Sequence, residues 1–131
     1  DAGRDGSSVG STVESNSPTL AIDPRVFGEG GEVLALKVEG NSMVDAGILS
    51  GDYAIVRRQN TVEEGEIAAV IIDGEGTLKR WHTSVGRGGT KVTLTPENER
   101  FEPIEISEED ANDVLVIGKY VGLIRGNIQF M

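Results

Sequence analysis

A chain of 131 residues is long enough for one domain around a single core. It carries 12 basic against 22 acidic residues, a net charge of −10, which argues against DNA binding by this chain alone, because such binding draws on Lys and Arg to neutralise phosphates. Cysteine is absent, which excludes disulfide frameworks and thiolate chemistry and fits a reducing cytoplasm; with no apolar run near the length of a membrane span and no signal peptide at the start, no membrane role is expected.

Positions 1–21 read as a flexible linker, because Asp1 to Ser17 is rich in Gly, Ser and Asp without an apolar period. The folded domain is expected over 22–131. Pro18 to Asp23 reads as extended, and Asp23 can cap a short helical turn over Pro24 to Phe27. Val33 to Val38 is an apolar strand. Met43 to Leu49 is too short and too broken by glycine for more than one helical turn, and Ser50-Gly51-Asp52 signals a turn.

Tyr53 to Val56 is the next strand, followed by a loop with a turn at Val62 to Glu66. Ile67 to Ile72 is a run of six apolar residues and reads as a central strand. Asp73-Gly74-Glu75-Gly76 connects it as a hairpin to Thr77–His82. Gly86-Arg87-Gly88-Gly89 lacks the following helix of a phosphate-cradling loop and reads as a hairpin turn. Lys91 to Leu94 and Phe101 to Ile106 are strands around the Pro96-Glu97-Asn98 turn. Ser107 to Asp110 is a solvated acidic turn with no histidine or spaced carboxylates to make it a metal site. Val114 to Ile124 closes the chain as a long strand, bent or bulged at Gly118. Short strands between turn signals, with almost no helix, define an all-β domain of barrel-like or folded-over sheets. No cofactor is expected.

Two positions carry possible chemistry. Ser42 stands in a turn just after an apolar strand, and Lys79 lies inside a later strand. A serine hydroxyl is a poor nucleophile until a base takes its proton. A lysine is such a base only where burial holds it neutral. Leu78 and Trp81 are apolar neighbours able to desolvate Lys79. The single histidine, His82, is three positions on from Lys79 and should face the opposite side of the strand, which disfavours a Ser-His pairing. Trp81 shares the face of Lys79, where core packing accounts for it. Serines in turns and lysines in strands are common, so the pairing says little by itself.

Gly40-Asn41-Ser42-Met43, Asp45-Ala46-Gly47-Ile48 and Gly51-Asp52 together resemble the serine segment of the LexA-type self-cleaving repressors. Thr77-Leu78-Lys79-Arg80 resembles their lysine strand, at a fitting separation of 37 residues from Ser42. Leu94-Thr95-Pro96-Glu97-Asn98 with Phe101-Glu102-Pro103-Ile104, and Gly118 to Arg125, resemble further segments of that family in the same order. So does Ile22 to Phe27. The resemblance implies the coiled β-sheet fold with a barrel-like core shared with signal peptidases.

It also implies that Ser42 is the nucleophile, Lys79 the general base, and the turn at Asn41 and Met43 the oxyanion site. Self-cleavage falls at an Ala-Gly bond in the linker, for which Ala2-Gly3 is the candidate; Val9-Gly10 lies closer to the serine with a bulkier acyl residue. The implied partners are a second copy of the chain, paired through the exposed apolar edge of Val114 to Ile124, and a RecA–single-stranded DNA filament acting as co-protease. DNA would be contacted only through an N-terminal domain ahead of Asp1, and the setting is the bacterial cytoplasm. The alternatives are a UmuD-like accessory protein of a lesion-bypass polymerase and a non-catalytic dimerisation module.

Overall fold

The computed structural model describes residues 12–13 and 32–126. Eight strands are present among them: β1 (Thr12–Val13), β2 (Val33–Glu39), β3 (Tyr53–Arg58), β4 (Ile67–Ile72), β5 (Glu75–Gly86), β6 (Gly89–Thr95), β7 (Ile104–Ile106) and β8 (Val114–Ile124). Among the described residues, helix is confined to single 3-10 segments at Val44–Ala46 and Glu108–Asp113. The all-β expectation holds. The expected helical turn at Pro24 to Phe27, Ala2-Gly3 and Val9-Gly10 lie outside the described residues.

The sheet order is β1-β2-β3-β8-β4-β5-β6-β7, and β1 also pairs with β5. That extra pairing closes β1, β2, β3, β8, β4 and β5 into a ring, with β6 and β7 extending from β5. Every pairing is antiparallel. A barrel-like core therefore follows, and its closing element is a strand of two residues inside the stretch read as linker.

β4 shows how the core is built. It is apolar throughout because neighbours cover both of its faces. Ile67 and Ala69 enter one cluster, with Val38, Met43, Ile48, Val56 and Leu78. Ala68, Val70 and Ile72 enter the other, with Leu94 and Ile106. Side chains alternate across a strand, so one run of residues serves two layers. Each buried Val, Leu or Ile contributes roughly 1.5–3 kcal/mol. Trp81 packs against the second cluster, beside Leu94, its cross-strand partner, as core packing predicts.

The hairpin joining β4 to β5 turns on Asp73 and Gly74, with φ of 51° and 83°. Two consecutive residues with positive φ suit the twist of a tight hairpin, and Asp-Gly is a favoured pair for it. β5 is longer than expected, running on to Gly86 and meeting β6 over its whole length. β7 is shorter than expected. Phe101 lies in a bend, and the strand starts only after Pro103, which cannot donate to a ladder.

The closing strand differs from expectation in two ways. Its irregularities fall beside Gly118 rather than on it. Opposite β4 the register skips Ile117, and opposite β3 it skips Val121. Gly118 instead marks a close backbone approach, because a Cβ there would sit 2.0 Å from the Arg57 carbonyl oxygen. Nor is Val114–Ile124 an edge strand. β3 pairs with it from Gly118 to Ile124 and β4 from Val114 to Lys119, so its central backbone is hydrogen-bonded on both sides. The argument for self-pairing through a free edge of this strand fails for that reason.

Candidate active site

β2 ends at Glu39, and Gly40, at φ 99°, turns the chain in a conformation that costs glycine little. The next residues form the serine turn. Val44 N–H donates to Asn41 O at 3.3 Å and Ala46 N–H to Met43 O at 3.1 Å, which starts the 3-10 segment. Gly47, at φ 82°, ends it. Met43 is fully buried in the first core cluster, so its side chain anchors the turn by packing.

Three further hydrogen bonds pin this turn. Glu97 N–H donates to Ser42 O at 2.7 Å, and Asp45 N–H donates to Glu97 O at 2.7 Å. Asn98 Nδ2 donates to Asn41 O at 2.9 Å. The Pro96-Glu97-Asn98 stretch is thus a brace behind the serine. On the other side, Asp52 is 2% exposed, and its carboxylate accepts from Arg125 Nε and Nη2, each at 2.7 Å, and from Leu49 N–H at 2.7 Å. The Arg125 hydrogen bonds hold the Asp52 carboxyl below its usual range, against an opposing desolvation. Arg125 also donates to Gly47 O at 2.7 Å, so one guanidinium ties the end of β8 to the segment that follows the serine.

β5 supplies the lysine. Its position on a strand paired on both sides makes it rigid, and its direct neighbour across β4 is Ala68, a small residue that leaves room for a long side chain. Lys79 Nζ lies 3.2 Å from Ser42 Oγ, 2.8 Å from Thr77 Oγ1 and 3.2 Å from Leu78 O. Ser42 is 0% and Lys79 1% exposed. Burial lowers the lysine from 10.5 to about 8. Buried polar groups must be hydrogen-bonded, and this trio of oxygens suits both protonation states. An ammonium can donate to all three. A neutral amine can donate to Thr77 and Leu78 and turn its lone pair toward the serine hydroxyl.

Of the residues expected at the site, Ser42, Lys79, Asn41 and Met43 therefore come together, and Ala2 and Gly3 lie outside the described residues. His82 turns elsewhere, with Nδ1 2.6 Å from Glu64 Oε2; that hydrogen bond is the main cause of a lowered Glu64 carboxyl. Three contributors carried no assigned role in the sequence. Thr77 lies two residues before Lys79 and shares its face, a spacing that could have marked it. Glu97 and Asn98 are 55 and 56 residues from the serine, and Asp52 is 73 residues from Arg125, so only the fold joins them.

An all-β ring that buries a serine against a desolvated lysine defines a peptidase-like domain. The family described as Peptidase S24-like matches residues 3–121. The chain is 46% identical over 106 residues to a LexA repressor of Thermosipho melanesiensis, covering 81% of this chain and 50% of that protein. It is 39% identical over 113 residues to a LexA repressor of Desulfatibacillum aliphaticivorans, covering 86% and 53%. With a LexA repressor of Lactobacillus delbrueckii subsp. bulgaricus it shares 40% identity over 126 residues, covering 88% and 57%. The chain belongs to the Peptidase S24-like family, as a LexA-type C-terminal domain. It spans about half the length of the curated relatives it matches.

Proposed function

We propose that this domain is the self-cleaving part of a LexA-type transcriptional repressor of the SOS response to DNA damage. The observation that carries the reading is the buried Ser42–Lys79 contact at 3.2 Å. Neutral Lys79 takes the hydroxyl proton as Ser42 Oγ bonds to the scissile carbonyl carbon. Backbone N–H groups of the Asn41-Ser42-Met43 turn stabilise the oxyanion. Collapse breaks the C–N bond, and the Lys79 ammonium returns the proton to the leaving amine. Solvent water then hydrolyses the ester, leaving a free carboxylate and restoring Ser42.

A hydroxyl with 0% exposure is out of reach of a free peptide. A tethered linker must reach the same hydroxyl, but its tether supplies a high effective concentration. Repression itself belongs to a DNA-binding domain ahead of Asp1, in keeping with the net charge of −10 here. Incubating the chain at mildly alkaline pH and weighing the products tests the reading. Loss of an N-terminal fragment is expected, and Ser42→Ala and Lys79→Ala should each abolish it. In the longer protein a RecA–single-stranded DNA filament should raise the rate by favouring the conformer with the linker in the cleft. Cutting that survives Ser42→Ala would discard the mechanism.

The functional unit is proposed to be a homodimer. Leu115 is 61% exposed, beside a groove of about 620 Å³ lined by Leu34, Leu36, Ile71 and Ile117. An apolar surface of this kind suits a second copy. Sedimentation at tens of micromolar should give a dimer that Leu115→Glu weakens at least tenfold; only monomer for the unmodified chain would refute it.

A further inference from the structure

We propose that Arg80 is a positioning residue for self-cleavage, which through Glu97 holds the serine turn in reach of Lys79. The assignment rests on the self-cleaving reading above. Arg80 follows Lys79 directly on β5, and alternation along the strand turns the two side chains to opposite faces. Lys79 enters the core and meets Ser42 Oγ there. The Arg80 side chain is 31% exposed and donates to other oxygens.

Two of these oxygens fix its guanidinium. Nη1 donates to Gly65 O at 2.6 Å, and Nη2 donates to Glu97 Oε1 at 3.3 Å. Gly65 is itself held against β5. Its N–H donates to Trp81 O at 2.7 Å, and Trp81 N–H donates to Glu66 O at 2.8 Å. One end of the fork thus rests on backbone fastened to the lysine strand. The other end catches Glu97 just past the end of β6. Thr95, opposite Arg80, is the last residue of β6 and stands two before Glu97. Pro96 between them has a fixed φ, which narrows the paths open to Glu97.

At Glu97 this hold reaches the nucleophile. Its N–H donates to Ser42 O and its carbonyl oxygen accepts from Asp45 N–H, each at 2.7 Å. Both bonds shift if the Glu97 backbone swings. Along the chain, base and nucleophile are 37 residues apart. Through Arg80 they are joined by one peptide unit, one ion pair and one backbone hydrogen bond. An ion pair as accessible as this contributes little to stability. A displacement of about 1 Å between reacting groups, by contrast, can cost roughly 100-fold in rate. The pair therefore weighs on the rate far more than on folding.

That difference is what the experiment reads. Initial rates are measured by mass spectrometry at mildly alkaline pH, well below the unfolding temperature. Arg80→Ala and Glu97→Ala should each slow the cut by roughly tenfold or more, while the unfolding temperature falls by only a few degrees. The double variant should be no slower than the slower single one, because the two side chains act as one link. Glu97→Gln keeps an acceptor for the guanidinium and should cut within about twofold of the parent. Arg80→Lys keeps the charge but loses the fork that spans Gly65 O and Glu97, and should stay slow. The two Glu97 variants carry the test should Arg80→Ala fail to fold. Single variants that cut at the parent rate, losses that multiply in the double variant, or full activity in Arg80→Lys overturn the assignment and leave self-cleavage standing. No product from the unmodified chain at any pH overturns self-cleavage and the assignment with it.

Discussion

Self-cleavage should rise about tenfold per pH unit through neutrality and level off above about pH 8. The profile follows from the lysine. At an ordinary pKa of about 10.4, well under one part in a thousand would be neutral at pH 7. Burial against Ala68 and the apolar core lowers Lys79 to about 8, which makes the neutral fraction about one tenth. The neutral form is the base, so the rate tracks it until deprotonation is complete. Lys79→Ala removes the base and should leave no measurable cutting. Lys79→Arg should restore only a trace, and only at very alkaline pH, because guanidinium holds its proton more tightly. Initial rates by mass spectrometry from pH 6 to pH 10 decide it. A flat profile would remove Lys79 from the proton transfer.

The second large effect is on stability, with the opposite sign for the same residue. The folded pKa of Lys79 lies below the unfolded one, so between about 8 and 10.5 the unfolded chain holds more protons. Stability contributed by this group therefore rises with pH through that window, and at neutral pH the buried charge is a cost. A lowering from 10.5 to about 8 corresponds to roughly 3 kcal/mol. Lys79→Met, similar in length and never charged, should raise the unfolding temperature at pH 7 by roughly 5–10 °C. The gain should shrink toward zero by about pH 10.5. Comparing variant and parent at each pH cancels other alkaline titrations, such as that of Tyr120, which desolvation and the nearby Asp52 raise. A variant less stable than the parent at pH 7 would mean that the hydrogen bonds to Ser42, Thr77 and Leu78 outweigh the desolvation of the amine.

Much of this could be read along the chain. Alternation and turn chemistry were enough for β2, β3 and β4, because a strand covered on its faces must be apolar and its ends must turn. Asp73-Gly74 named its own hairpin, since few other residue pairs tolerate two positive φ angles. Ser42 and Lys79 were legible only through the company they keep in ordered motifs, because neither a serine in a turn nor a lysine in a strand is unusual alone.

Tertiary structure decided the rest, wherever a property depends on a neighbour remote in sequence. Val114 to Ile124 is as apolar as an exposed pairing edge or an interior strand would be, and hydrogen bonds to β3 and β4 settle which it is. The brace of Glu97 and Asn98 behind Ser42, and the tie of Arg125 to Asp52, involve polar residues whose spacing has no local meaning. The basicity of Lys79 belongs to this group as well. A lysine's pKa is set by the water it loses and the oxygens it meets, and both come from closing the ring of strands around it.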